Sequence, residues 1–492
     1  MAGIRVGFGR SDISPHIKDG TEFRRPLEAA AVVFGQGKNT VALVSLDLIE
    51  IPPPFCATVQ RLAGKRLGIA PERILLHTTH THTAPWDRVN GSGVAIKGLD
   101  QVVAAAIEQA RKNAQPARMR VGQTDVGSRF SVYRRSDAGP DLGLQTFWVG
   151  YRYHNNDDRP DASALANDMR SRWLGKGPAY EPGPEPVWFD RPVDGLVQAM
   201  VFEAVDGKPL GAIVRFAAHP HLANHCRDRL YDPDFPAITC DTIMESLKCP
   251  CLFLLGPAAN IVPKERVTYV VDDARVPRPP FFGPISAFYP TSDSALLAEM
   301  RRIGQELGQA ALNSLDSAKA EALESTRLVA RTIPVPLDPA LPPNRAAISR
   351  MRAALLPEYE SFLRRGGPLR ELRSLASRFN WLEWAATKSL VAVTAQERKA
   401  GAKTMPLWAL SLNATRMAFM HSEVAIETSA SLRAATHDPS LWTVSLTGGS
   451  LEYVPTAEMV DEGGYEGRST IVRRDAEQLM REQMVRMLGE VK

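Results

Sequence analysis

The sequence predicts an α/β fold in which mixed sheets are flanked by helices. Three observations lead there. Short apolar runs rich in β-branched residues alternate with amphipathic stretches of helical period, the order of a layered α/β protein. Gly/Asn and Asp-Gly turns join two pairs of those runs into hairpins, so the sheets are not purely parallel. Two further strands run into histidine-rich segments and are then released by a proline.

In chain order, residues 4–8 read as a strand and Arg10-Ser-Asp-Ile-Ser-Pro15 as a turn. Residues 29–34 and 40–48 form a hairpin around Gly35-Gln-Gly-Lys-Asn39, and residues 52–67 a helix. Asp47, an isolated acid at the end of the hairpin, fits a metal ligand, an acceptor behind a ligand, or a cap for that helix. Residues 74–76 enter the first histidine cluster, and residues 100–113 form a helix. Strand and loop follow at 117–122 and 128–136. Residues 153–190 are polar and rich in Asp, Arg, Pro and Gly, which marks an insertion.

A second hairpin, 194–204 with 209–216, turns at Val205-Asp-Gly-Lys208 and enters the second histidine cluster. A helix at 237–247 and a buried strand at 252–255 precede the tight loop Gly256-Pro-Ala-Ala-Asn-Ile-Val-Pro263. Residues 272–291 are Pro- and aromatic-rich without periodicity, a second insertion. Residues 292–318 are a strong amphipathic helix, 325–337 a strand, and 338–400 mostly helical, broken at Gly366-Gly-Pro368. Strands at 405–412, 415–420 and 442–446 and a helix at 473–489 complete a chain read as one domain, residues 1–492.

Composition narrows the function classes. With 44% hydrophobic and 23% charged residues, the chain is that of an ordinary globular protein, and 492 residues is the size of a two-lobed domain. A formal charge of +4 over this length gives no reason to expect nucleic acid or a membrane surface as partner. The first ten residues carry no apolar signal segment, and no run is apolar and long enough for an integral membrane segment. Five cysteines, an odd and sparse set, point to a reducing cytoplasm, with Cys249 and Cys251 as buried strand thiols.

The histidines carry the chemistry. Ile74 to Leu76 lead into His77, His80 and His82, and an extended chain would place His80 and His82 on one face and His77 on the other. Phe216-Ala-Ala-His219-Pro-His221 repeats the pattern of apolar strand, histidine and proline. Two imidazole-bearing strand ends in one chain point to a metal site. Late in the chain, Glu423 stands where a strand gives way to a helix, a position for a cap or a ligand. A two-metal phosphoesterase would need more carboxylates than Asp47 and Asp234 offer.

Ordered segments along the whole chain resemble the neutral ceramidase family of zinc-dependent amide hydrolases. They are Gly7-Phe-Gly-Arg-Ser-Asp-Ile13, Thr79-His-Thr-His-Thr-Ala-Pro85, Phe216-Ala-Ala-His219, Ser422-Glu423, Tyr453-Val-Pro-Thr456 and Gly464-Tyr-Glu-Gly-Arg-Ser-Thr470. The resemblance implies a catalytic-domain fold like that of the family, and zinc held by His80, His219, Glu423 and Tyr453. It implies His82 as the second imidazole of the pair, Tyr465 at the oxyanion, and, through a looser alignment, Arg135 on the substrate.

One departure changes the expected mechanism. The family's serine nucleophile lies in a loop resembling Asn-x-Ser-Pro, whereas this chain reads Asn260-Ile-Val-Pro263. Val262 has no proton to lose, so the expected nucleophile is water activated by the metal. The family's signal peptide and C-terminal β-domain have no counterpart, so a small cytoplasmic amide, ester or lactone is expected in place of a long-chain lipid. The alternative is a non-catalytic relative that keeps metal and cleft for ligand binding.

Overall fold

A computed structural model describes residues 3–85, 98–137, 144–146, 187–188, 191–226, 228, 230–265, 268–271, 287–290, 292–366, 371, 374–375, 378–379, 381–450 and 452–492. The larger sheet is built, in chain order, from β1 (Arg5–Asp12), β2 (Glu28–Phe34), β3 (Val41–Leu46), β4 (Ile74–Thr78), β5 (Gln115–Asp125), β6 (Leu196–Ala204), β7 (Pro209–Phe216), β8 (Cys251–Leu255) and β9 (Glu321–Ala322). Its order is β8-β7-β6-β5-β1-β2-β3-β4, with β9 on β5. The two outermost pairs, β3 with β4 and β7 with β8, are parallel. The other pairings are antiparallel.

A parallel pair needs a crossover, and each of these has a helix. α1 (Pro53–Leu67) joins β3 to β4, and α3 (Asp234–Leu247) joins β7 to β8. α1 starts on Pro53 and ends at Gly68, whose φ of 65° suits the left-handed stop that glycine makes cheaply. α2 (Leu99–Lys112) packs with α1 on the β1–β4 side through Val103, Ile107 and Val59. There β1 approaches the helix backbone: a Cβ on Gly7 or Gly9 would lie 2.2 Å from the Ala110 or Ala106 carbonyl oxygen. α3 and α4 (Asp293–Asp316) cover the β6–β8 side with Phe235, Ile303 and Leu307.

The opposite face of the sheet packs on a second sheet. β10 (Thr326–Pro336), β11 (Ala402–Leu412), β12 (Thr415–Phe419) and β13 (Trp442–Val444) form it in that order. Phe8, Phe34, Phe202 and Leu252 meet Trp408, Leu410, Phe419 and Trp442 in the core between the sheets. Beyond the second sheet, Met480, Met484 and Leu488 of the C-terminal helix Ala476–Glu490 close the stack. The larger sheet also curls, because Ser45 Oγ donates to the Phe253 carbonyl at 2.7 Å and the Leu255 amide donates to His77 Nε2 at 3.0 Å. Its two outer parallel pairs therefore face each other, with their carboxyl ends together.

Several sequence expectations change in detail. The helix expected from residue 237 begins at Asp234, whose carboxylate accepts the Ala223 and Phe235 amides at 2.7 Å each. Within the two expected insertions, Val187–Trp188 pairs with Ser136 and Asp137, and Ala287–Pro290 pairs with Thr268–Val271. The rest of 153–190 and 272–291 lies outside the described residues. All five cysteines are buried free thiols. Among the described residues, no helix is long and apolar enough to cross a membrane.

Candidate metal centre

The two histidine segments leave the sheet at the carboxyl ends of β4 and β7, the end of a parallel sheet where ligand sites collect. The strand at the first segment stops at Thr78, before either outer histidine. His80 then adopts φ 66°, a turn conformation, so the expected pleat does not align His80 with His82. They converge through that turn, with Nε2 atoms 3.3 Å apart and rings edge to face at 4.8 Å. His77 lies within β4 and is structural: Nδ1 meets the Ser445 carbonyl at 2.9 Å while Nε2 accepts the Leu255 amide. Burial holds its pKa at about 3, which keeps it neutral.

The outer histidines are anchored in one way. His80 Nδ1 lies 2.6 Å from the Ile49 carbonyl, and His219 Nδ1 lies 3.1 Å from the Ile261 carbonyl. A backbone carbonyl at Nδ1 fixes the tautomer in which Nε2 carries the lone pair, the usual arrangement behind a metal-bound imidazole. Both Nε2 atoms then meet Glu423 Oε2, at 3.3 Å for His80 and 3.1 Å for His219. Donor atoms bonded to zinc at about 2.0–2.2 Å in a tetrahedron lie about 3.3–3.6 Å apart. The side-chain spacing therefore fits a cation held by His80, His219 and Glu423.

The remaining expected residues come to the same place by different routes. Glu423 and Tyr453 are cross-strand partners in a short parallel pair. The rings of Tyr453 and Tyr465 lie 5.4 Å apart. One ring nitrogen from each of His80, His82 and His219 lies within 4.8 Å of the other two, so His82 is placed either to complete the ligand set or to stand beside it. His221, buried, has its ring 5.6 Å from that of His82.

Arg135 does not face this cluster. Its guanidinium bonds Glu462 and the Gly463 carbonyl, each at 2.8 Å, and it is fully buried rather than a surface arginine. The neighbouring Arg134 does face it: Nη2 donates to the Tyr453 hydroxyl at 2.9 Å and Nε to Glu466 at 2.7 Å. Side-chain alternation along an extended segment accounts for the difference, because adjacent residues point to opposite faces. Glu466, equally hidden in the sequence, is fully buried and also accepts the Thr146 hydroxyl at 2.8 Å.

Asp47 neither caps α1 nor touches an imidazole. It accepts the Glu28 amide at 3.0 Å and the Thr79 hydroxyl at 3.3 Å, so it ties the start of β2 to the residue before His80. Val262 is buried in the short strand Ile261–Pro263, paired with Val132. Asn260 beside it accepts the Ile426 amide at 3.0 Å and donates to Glu427 at 2.8 Å.

The charges of the cluster follow from these contacts. Burial works against ionising Glu423, but His80 and His219 hold its pKa well below the usual carboxylate range. Burial lowers the His80 pKa, and Glu423 more than reverses this. His219 drops to about 4 through burial and the adjacent Arg134 cation. His82 falls well below its usual value through burial and the two neighbouring imidazoles. Burial and the Glu423 charge raise the Tyr453 and Tyr465 phenols, so a phenolate at Tyr453 needs a nearby cation.

No family model and no curated protein matches this sequence. Among solved structures, the chain is similar to the neutral ceramidase from Pseudomonas aeruginosa, at 17% identity and a TM-score of 0.63, over 99% of this chain and 74% of that one. It is similar also to a ceramidase complexed with C2, at 16% identity and a TM-score of 0.62, over 99% of this chain and 75% of that one. The curled sheet, the second sheet and the helices around them are thus a neutral-ceramidase-like α/β fold.

Proposed function

We propose that this protein is a metal-dependent hydrolase that cleaves an amide, ester or lactone carbonyl bond of a small substrate in the cytoplasm. The observation that carries the reading is the matched anchoring of two imidazoles. The Nδ1 atoms of His80 and His219 are each held by a backbone carbonyl, and their Nε2 atoms converge on one oxygen of Glu423. His80, His219, Glu423 and Tyr453 would hold a divalent cation, with zinc the first choice for this mixed N/O set. Such a cation polarises a carbonyl and brings the pKa of water from ~15.7 to about 7.

The chain's own groups supply the rest. His82, near neutral in charge beside two imidazoles, takes and returns the proton. Tyr465 steadies the developing oxyanion with its hydroxyl, which burial keeps protonated. Arg134 holds the Tyr453 hydroxyl and places a positive charge beside it. Arg135, engaged by Glu462 and the Gly463 carbonyl, holds the turn between the helices Ala457–Glu462 and Gly464–Arg468. Valine at position 262 leaves water as the nucleophile.

The test is metal analysis of the purified protein together with a panel of N-acyl, ester and lactone substrates. Stoichiometric metal, turnover in the holo protein and loss of turnover on stripping are the expected results. The similarity to ceramidases makes the amide arm the first to try. The competing reading, a ligand-binding relative without catalysis, draws on Val262. Bound metal with no turnover across the whole panel would favour it.

A further inference from the structure

We propose a second ligand site, separate from the histidine cluster, that takes a single-chain amphiphile with a carboxylate head. The proposal does not depend on the hydrolase reading. Between the helix Arg345–Arg365, the segment around Trp381 and residues 460–470 lies a cavity of about 660 Å³. That is well within the ~300–1,000 Å³ of ordinary small-molecule pockets. Its walls are mainly apolar, with Met351, Leu355, Trp381, Leu382 and Val460 among them. A cavity so lined favours a hydrocarbon chain over a sugar or nucleotide.

The polar groups at the cavity identify the head. Asp338 Oδ1 is taken by the Ala340 amide at 2.8 Å, in a turn of its own. Arg378 is bonded to both carboxylate oxygens of Glu358, at 2.6 and 3.3 Å. The Thr470 hydroxyl donates to the Tyr453 carbonyl at 2.8 Å. Among the charged side chains at the cavity Arg468 is different, because among the described residues no hydrogen bond or ion pair engages its guanidinium, and it is exposed there. A planar fork of N–H donors beside an apolar chamber matches a carboxylate on an alkyl chain.

The placement also couples this cavity to the candidate metal centre. The short helix Gly464–Arg468 carries Tyr465 and Glu466 toward the cluster and Arg468 toward the cavity. Thr470, which lines the cavity, holds the backbone of Tyr453. A ligand seated on Arg468 therefore bears on the segment that positions both tyrosines.

The experiment is calorimetric titration of the full chain with dodecanoate below its micelle concentration, with dodecanol and dodecyltrimethylammonium as head-group controls. One saturable site for dodecanoate is expected, and it is retained in metal-stripped protein. Arg468→Gln is expected to weaken dodecanoate at least tenfold and leave dodecanol alone. Ala354→Trp, at an exposed position on the wall, is expected to weaken both. Absence of saturation, equal dodecanoate binding by Arg468→Gln, tighter binding of the cationic amphiphile, or loss of binding on metal removal would each overturn the proposal. Intact thermal unfolding of each variant separates these outcomes from misfolding.

Discussion

The two outer parallel pairs of the larger sheet solve one problem in mirrored order. In the first, β3-α1-β4, the histidine follows the second strand, and the carbonyl that fixes its Nδ1 comes from Ile49, in the segment leaving the first strand. In the second, β7-α3-β8, the histidine follows the first strand and the fixing carbonyl, Ile261, comes after the second. Each imidazole is thus held by the backbone that leaves its parallel neighbour. The difference lies in the electrostatics. Arg134 hydrogen-bonds through its amide to Asn260 at 2.9 Å, so the second unit carries a cation beside its imidazole, whereas the first has Glu50 nearby. His80 is accordingly raised and His219 lowered, although both face one carboxylate. Equivalent geometry with opposite electrostatic bias means that only a shared cation would make the two histidines equivalent.

The sharpest way to break the comparison is to remove one imidazole at a time. If both units serve one cation, His80→Ala and His219→Ala each weaken zinc binding on the order of 10³-fold or more, about 4 kcal/mol, measured by competition with a chromophoric chelator. A large loss in one variant and little in the other would make the mirrored geometry coincidental. His82→Ala separates the two roles open to that residue. As a proton carrier it lowers turnover ~10²–10⁴-fold and leaves metal affinity within about tenfold. A loss of affinity matching that of His80→Ala would move it into the ligand set.

The next largest effect concerns the cation that distinguishes the second unit. Arg134 and Glu466 are both fully buried, so Arg134→Met leaves a buried carboxylate with, among the described residues, the more distant Arg135 as its remaining cation, at 3.5 Å. That is expected to cost about 3–5 kcal/mol in urea unfolding. Arg135→Met should cost less, because Glu462 is partly exposed and keeps Arg191 as a partner. Loss of the Arg134 charge should also let the His219 pKa rise from about 4, since that cation is the next cause of its depression after burial. Histidine NMR titration of metal-free Arg134→Met measures it, and an unchanged value would mean that the Arg134 charge does not contribute.

Much of this architecture was legible in the sequence because it is written in local signals. Hairpin turns at 35–39 and 205–208, the helical period at 292–318, and proline after each histidine strand placed the main strands and helices. The convergence of His80, His219 and Glu423 was reached through resemblance to known motifs, since nothing local ties residue 423 to residue 80. What stayed hidden depends on one-residue details. Whether Arg134 or Arg135 faces the cluster turns on a one-residue step between the short strands Ser131–Tyr133 and Arg135–Asp137, and two adjacent arginines look alike in sequence. The left-handed turn at His80 was hidden too, because histidine at positive φ has no sequence marker comparable to glycine.

The smallest expected effect tests the bracing of the two units. Behind His80, Asp47 ties the Glu28 amide to the Thr79 hydroxyl; behind His219, Asn260 ties the Ile426 amide to Glu427. One unit is laced by an acid and the other by an amide. Burial, and after it the Glu28 charge, raise the Asp47 pKa from 3.8 to about 7. A carboxyl raised on folding holds its proton more tightly in the native state. Its favourable contribution is therefore complete below pH ~4, diminishes as pH rises, and is gone above about pH 7. Asp47→Asn imitates the second unit: Oδ1 can accept the Glu28 amide while Nδ2 donates to Thr79. The variant should match wild type near pH 4 and exceed it at pH 8. The full shift corresponds to about 4 kcal/mol, but Asp47 keeps some solvent exposure, which screens the gain to ~1–2 kcal/mol. Urea unfolding at pH 4, 6 and 8 gives the slope. Parallel curves for the two proteins would mean that folding leaves the Asp47 pKa where it stands in the unfolded chain.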